Sequence, residues 1–316
     1  FEAYTRAGER TEFTALIRRI GARYLQVYIE GNEFELYDCS IRPTDYPVRE
    51  IVSYPQDPFW NRLYEVASRT LRLCMHEHYE DCPWREQAFY NFDSRSQILT
   101  GYRLFGESDM PRACLTLMAK SLRPDGHLEI CAPTIQPITI PVFTLSYLLI
   151  LLDYLQFSGE KDFVLDLLPT ARLILDAFVA RLDGRGLIPV FVEPEYWNFY
   201  EWSPEMDGMP IERQYKLAPR WDAPLSAFTC LALSAYREIC TACGLPCEQH
   251  YSAAMDSIRQ GANHYYLSDG RYASYLDREG RLSGFCEYTN IMFLYAGLVP
   301  EGQREPLADL LLSGRS

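Results

Sequence analysis

Three carboxylates and an arginine fall within one short stretch, Asp81-Cys82-Pro83-Trp84-Arg85-Glu86-Gln87-Ala88-Phe89-Tyr90-Asn91-Phe92-Asp93. Groups of this kind can give and take protons and hold polar ligands, provided that the fold brings them to one place. Asp81 and Pro83 have the chemistry of a helix start, a side-chain cap followed by a proline whose missing N–H costs nothing in the first turn. The spacing predicts a helix over 83–105. On it Glu86, Tyr90, Asp93, Gln97 and Thr100 follow at steps of four and three, one narrow polar stripe. Phe89, Phe92, Leu99 and Tyr102 fall elsewhere on the wheel, where they can pack. Burying an unpaired carboxylate is expensive, so such a stripe beside bulky apolar residues faces a polar pocket. The same spacing also fits an ordinary capped helix with a solvated acidic face.

The elements that must position these residues follow from periodicity. From Asp57 onward the pattern is helical. Helices are predicted near 57–76, 83–105, 109–122, 141–157, 161–182, 222–243, 248–266, 285–296 and 303–313. Short turns rich in Gly, Pro and Asp join them in pairs, as a fold built from α/α hairpins requires. The apolar run from Ile140 to Leu155 contains Thr144, Ser146, Tyr147 and Asp153, and reads as a buried helix rather than a membrane span. Residues 187–219 are aromatic and proline-rich without helical period, and a loop so long in a compact domain suits a pocket rim. Before residue 48 the chain alternates instead. Residues 24–29 and 34–37, either side of Gly31-Asn32, are predicted strands, with Pro43 to Pro47 as a linker.

Composition narrows the class. In 316 residues, 48% are apolar and 14% aromatic, enough for a well-stocked core, while the formal charge of −13 lacks the basic surface that nucleic acid or an anionic membrane would need. Tyr at 23 and Trp at 5 suit a carbohydrate pocket, and most of them also suit a plain core. The ten cysteines are scattered, which points to free, buried thiols in a reducing, cytoplasmic setting. Cys240, Cys243, Cys247 and His250 are the one set with metal-ligand chemistry. Cys240 and Cys243 also end an apolar helical run before Gly244, and no metal or organic cofactor is expected.

Asp-Cys-Pro-x-Arg-Glu, followed seven residues later by Asp93, resembles the signature of the α-L-rhamnosidases of glycoside hydrolase family 78. Further stretches agree: Arg123-Pro124-Asp125-Gly126-His127 with Ala132-Pro133, Gly159-Glu160-Lys161-Asp162-Phe163 with Leu168-Pro169-Thr170-Ala171-Arg172, and Asp183-Gly184-Arg185-Gly186-Leu187-Ile188. Tyr200-Glu201-Trp202 stands where the family usually carries Gly-Asp-Trp. The resemblance covers roughly residues 50 to 300. It implies a mainly α fold, an (α/α)6 six-hairpin barrel at 49–316 that is incomplete at its C-terminus. Residues 1–48 would then be the β-strand tail of an upstream sandwich domain.

The resemblance also implies a reaction: removal of terminal α-L-rhamnose from an oligosaccharide or glycoside, with inversion. That chemistry needs an acid to protonate the leaving oxygen and a second carboxyl, about 6.5–9.5 Å away, to activate water. Glu86 matches the general acid, a role favoured by a dry, apolar or like-charged setting to which Asp81, Asp93, Phe89 and Phe92 would contribute. Asp81, Arg85 and Asp93 match positions that hold sugar hydroxyls, and Trp202 would stack on the ring, ahead of Trp197 and Trp221. The chain departs from its relatives at Tyr90, where tryptophan is usual, at Phe92, where glycine is usual, and at Glu201, which replaces an aspartate. No Thr-x-Trp-Glu-like segment, which carries the family's general base, occurs before Ser316. Glu201 and Glu287 are the carboxylates left to take its place. A six-hairpin hydrolase for another sugar, and a carbohydrate-binding remnant without turnover, are the alternatives.

Overall fold

The computed structural model describes residues 12–15, 19–31, 33–53, 56–134, 136–203, 206 and 220–314. Among them are nine helices: α1 (Pro58–Leu73), α2 (Asn91–Phe105), α3 (Asp109–Lys120), α4 (Pro141–Ser158), α5 (Lys161–Val179), α6 (Ala223–Cys243), α7 (Gln249–Tyr265), α8 (Glu287–Tyr295) and α9 (Glu301–Leu312). Five two-residue strands complete the set: β1 (Trp221–Asp222), β2 (Leu267–Ser268), β3 (Arg271–Tyr272), β4 (Tyr275–Leu276) and β5 (Leu282–Ser283). They form two small antiparallel sheets, β1-β4-β5 and β2-β3, which shape connections rather than a layer.

The even-numbered helices form the inside. α4 packs most closely on α6, α2 packs on α4, and α8 on α6, while α3, α5 and α7 lie against this inner row from outside. The sequence of α4 explains its place. Val142, Leu145, Leu148, Leu149, Ile150 and Leu151 leave no polar face, so every side of the helix needs a neighbour. By length and apolarity alone α4 could cross a membrane, yet 78% of it is buried inside the fold, as expected for a core helix. α6 is likewise buried nearly all round. Proline stands in the first turn of both, and Gly159 and Gly244 close them with left-handed backbone (φ 71° in each), a conformation glycine adopts without strain. Short turns join α2 to α3, α4 to α5 and α6 to α7. The rings of Phe92, Phe143 and Phe228, from the first two turns of α2, α4 and α6, meet, so the N-terminal ends of these inner helices gather at one end.

Eight of the nine predicted helices match within a few residues; the second does not. α2 begins at Asn91 rather than near Pro83, because residues 81–90 are held by other bonds. The Asp81 N–H donates to the Ala88 carbonyl (3.0 Å), the Asp81 carboxylate accepts from the Ala88 N–H (2.9 Å), and Gln87 takes a left-handed φ of 53° that no helix allows. Tyr90 then bridges to Cys131. Asp81 thus caps a closed loop rather than a helix, and the single polar stripe from Glu86 to Thr100 does not exist. The predicted strands over 24–29 and 34–37 form no ladder among the described residues. Their large side chains, such as Tyr24, Tyr28 and Phe34, are exposed, since an extended segment without a partner strand has nothing to pair with.

Candidate active site

The site lies where the first turns of the inner helices converge. Asp93 stands in the first turn of α2, Phe143 in that of α4, Asp222 immediately before α6, and Glu287 and Tyr288 at the start of α8. Helix N-termini carry partial positive charge and free N–H groups, so this is the end of the fold where carboxylates are best tolerated.

Glu86 projects from the loop that precedes α2. Its Oε2 accepts a hydrogen bond from the Tyr90 hydroxyl (2.8 Å), and Oε1 pairs with Arg85 (3.1 Å). Arg85 itself is mostly in solvent, and the Glu86 side chain keeps 37% of its surface exposed. The acid is therefore at an open mouth, not in the dry setting expected of it. Phe89 explains part of the difference: it turns inward, fully buried and stacked on His78 with ring centres 5.5 Å apart. Phe92 also packs inward, 5.5 Å from both Phe143 and Phe228.

Asp93 feels the other acids. It is exposed to solvent and only partly covered by protein. That partial burial pushes its carboxyl pKa up, and the nearby carboxylates of Asp81, Glu201 and Glu86 push the same way. Cys131, across the Tyr90 bridge, is raised mainly by burial and also feels Glu129, Asp81 and Glu86. Tyr288 is raised by burial and by Glu201, so this tyrosine of α8 lies near one of these acids. Tyr90 is raised by burial and by its bond to Glu86.

An aromatic chain links the acids to the long loop. From Phe92 it runs through Phe143 to Phe199 (6.3 Å between centres), and on to Trp202 (4.8 Å), with Trp197 beside both at 5.0 and 5.8 Å. Trp202 is 75% exposed, so it is not a core residue and offers an open face next to the acids. Trp221 serves the fold instead. It is buried, donates to Asp183 (3.1 Å) and lies under the Arg185 guanidinium, all structural contacts.

Sequence reasoning missed the anchor behind this rim. Asp222 is fully buried, accepts twice from Arg220 (2.7 and 3.1 Å), and accepts from the Tyr200 hydroxyl (2.9 Å). Burial pushes the Asp222 carboxyl pKa up, against the opposing pull of Arg220. Through Tyr200 the group fixes the backbone that carries Glu201 and Trp202, whose turn is closed by the Tyr200 and Glu201 N–H groups on the Met206 carbonyl. The signal in the sequence was Arg-x-Asp at the end of a proline-rich loop, too short to single out. Residues 204, 205 and 207–219 of that loop lie outside the described residues.

The cysteine and histidine set divides. Cys240, Cys247 and Glu248 come within 4.8 Å of one another, while Cys243 and His250 are not in that group. His250 pairs with Asp176 instead (3.3 Å), and Glu248 is held by Arg172 (2.8 Å), a positive charge where a cation would sit. All ten cysteines are free thiols, but only Cys74, Cys114, Cys230 and Cys240 are buried, and Cys39 is exposed. An open groove of about 490 Å³ along the outer face of α1, lined by Arg62, Glu65, Val66, Arg69, Thr70 and Leu73, contains none of the converging acids.

Inner helices with carboxylates and an exposed tryptophan near their N-terminal ends, backed by outer helices, form an α/α-hairpin architecture, and comparisons with known proteins give the family. The family model for the bacterial alpha-L-rhamnosidase 6 hairpin glycosidase domain matches residues 54–313, and the chain belongs to that family. Among solved structures it is similar to a GH78 family rhamnosidase of Bacillus sp. GL1 (TM-score 0.74, 23% identity, 84% of this chain and 27% of that one). It is also similar to a rhamnosidase from Klebsiella oxytoca with rhamnose bound (TM-score 0.64, 22% identity, 82% of this chain and 48% of that one). A GH63 mannosylglycerate hydrolase from Thermus thermophilus shares the fold at TM-score 0.57 and 14% identity, over 78% of this chain and 75% of that one. No curated protein sequence matches the chain. The chain spans about a quarter to a half of the length of the two rhamnosidases.

Proposed function

We propose that this chain carries the acid half of a glycoside hydrolase that removes terminal α-L-rhamnose from glycosides or oligosaccharides with inversion. One observation carries the reading: four carboxylates, Asp81, Glu86, Asp93 and Glu201, converge beside the exposed ring of Trp202 at the N-terminal end of the inner helices. In this reading Glu86, at the mouth, protonates the leaving oxygen. The Tyr90 hydroxyl fixes its Oε2, leaving Oε1 toward Arg85 and the incoming substrate. Asp93 and Asp81 hold sugar hydroxyls, and Trp202 takes an apolar face of the ring. An inverting reaction needs a second carboxylate about 6.5–9.5 Å from the acid to activate water. Within the chain Glu201 is the better placed of the two substitutes, because its charge is felt at Asp93 and Tyr288.

Hydrolysis of an aryl α-L-rhamnoside by the protein and by its Glu86→Gln variant tests the reading, with the first-formed anomer read by proton NMR. Release of β-L-rhamnose by the parent and its loss in the variant is the expected result. Release of the α anomer, or equal rates in the two proteins, overturns it. The GH63 neighbour, three-quarters of whose length this chain covers, favours a second reading as a six-hairpin hydrolase for another sugar. A panel that includes α-glucosides and α-mannosides separates the two. Binding of rhamnose without turnover of any glycoside would leave a carbohydrate-binding remnant.

A further inference from the structure

The loop that carries Glu86 is not held by the barrel alone. An extended segment at Arg19 to Gly21, far upstream in sequence, lies directly across it. Arg19 donates to Glu80 Oε1 and approaches Glu77 at 3.5 Å, and its carbonyl accepts from Gln87 Nε2 (3.5 Å). Gly21 sits so close that a Cβ there would stand 2.5 Å from the Pro83 carbonyl oxygen and 3.2 Å from Trp84 Cβ. Its backbone is not in the left-handed region, so the space, not the conformation, demands glycine.

Glu80 is the other end of this attachment, and its side chain has no solvent exposure. Its second oxygen lies 3.2 Å from His76 Nδ1, its N–H donates to the Cys74 carbonyl (2.9 Å), and its carbonyl accepts from Gln97 of α2 (2.7 Å). A buried carboxylate that loses its cation becomes strongly unfavourable, so Arg19 is the partner that lets Glu80 sit there. Asp81, the next residue, closes the loop on Ala88. One chain of contacts therefore runs from Arg19 through Glu80 and Asp81 to the loop bearing Glu86, and Gly21 covers its outer side.

We propose that residues 19–21 are a strap that positions the acid loop, with Arg19 and Gly21 acting as positioning residues for Glu86. The link to Glu86 as an acid rests on the proposed function above; the hold on the loop does not. Hydrogen exchange of the full chain, resolved to residues 81–88, is the test, with Arg19→Ala, Arg19→Lys, Gly21→Val and the control Gly184→Ala, a glycine with nothing within 4 Å. Exchange at Asp81 and Ala88 is expected to rise about ten-fold or more in Arg19→Ala and Gly21→Val, with α4 and α6 protected as before. Arg19→Lys keeps a cation for Glu80 and recovers most of the protection. In an active parent, kcat falls in the same two variants while KM changes less than about two-fold. Unchanged exchange in both variants overturns the strap whether or not the protein turns over a rhamnoside. Faster exchange with unchanged kcat overturns its role for Glu86. A parent without turnover sinks the proposed function and leaves the exchange result to decide the strap.

Discussion

The helix α4 and the loop 81–90 are held by opposite means. In α4 the side chains of Leu145, Leu148, Ile150 and Leu151 have no exposure, and close packing of apolar surface fixes the helix from every direction. In the loop, Trp84, Arg85 and Glu86 face solvent, and the backbone is fixed by a handful of polar bonds: Asp81 with Ala88, Gln87 with Pro83, Tyr90 with Cys131. The first region can lose a bond and keep its shape; the second has few to lose. Stability is thereby concentrated in the inner helices, while the proposed acid stands on a loop fixed by few bonds. This separation predicts that substitutions in one region leave the property of the other almost untouched.

The strongest way to break the comparison is at Glu86. General acid catalysis is worth about 10²–10⁴ in rate, so Glu86→Gln is expected to lower kcat on a rhamnoside with a poor leaving group by that factor. An activated aryl leaving group, which needs less protonation, should show a smaller loss. The urea midpoint should move little, since an exposed side chain away from special features contributes within about 0.5 kcal/mol. A large loss of stability would show that the loop carries part of the fold. The converse change is Leu148→Ala in α4, which removes a fully buried side chain and should cost about 2–5 kcal/mol in chemical unfolding. Activity per folded molecule should persist at low temperature. If it does not, the site and the core are coupled more tightly than the contacts imply.

A third test lies between the two regions, at the turn after α3. His127 is buried among Phe178, Phe191 and Tyr196, and burial pulls its pKa down from 6.5 to about 4. The native state thus stays unprotonated where the unfolded chain has taken a proton. Stability from this group is complete above pH 6.5 and is lost as pH falls from 6.5 toward 4. The loss is about 3 kcal/mol at 1.36 kcal/mol per unit. Urea unfolding between pH 7 and 4 measures it, and His127→Phe should flatten that part of the curve. An equal slope in both proteins would mean that carboxylates alone set the acid limit.

The difference between the regions also decides what could be read from the sequence. α4, α6 and α7 were legible because burial on one or all sides writes itself into residue period, and Pro and Gly mark the ends. The start of α2 was not. Asp81 and Pro83 fit a helix cap by chemistry, and only the bridge between Tyr90 and Cys131 and the pairing of Asp81 with Ala88 decide against it. Both are contacts between segments, invisible to local spacing. Of the acids singled out in the sequence, Asp81, Glu86 and Glu201 act electrostatically on Asp93, from two loops onto the start of α2 rather than along one helical stripe. Arg220 and Asp222 were missed because a buried ion pair leaves no periodic trace. The strands expected before residue 48 form no ladder among the described residues, because alternation makes a strand only where another strand offers it a partner.

The smallest expected effect falls on Trp202, and it sharpens the comparison most finely. Its ring touches Trp197 and Phe199 but is 75% exposed, so little apolar area is returned to water when it is removed. Trp202→Ala should therefore change folding stability by less than about 0.5 kcal/mol. A ring that stacks on a sugar contributes on binding, by about 1 kcal/mol, which raises KM or the Kd for rhamnose roughly five-fold. Phe at the same position keeps an aromatic face and should recover most of that affinity. Isothermal titration with rhamnose, beside urea unfolding of the same samples, reads both quantities. A stability loss without a change in affinity would make Trp202 a lid over Phe199 and Trp197 and assign it to the core. An affinity loss alone places it with Glu86 on the side of the molecule that the inner helices support but do not share in stabilising.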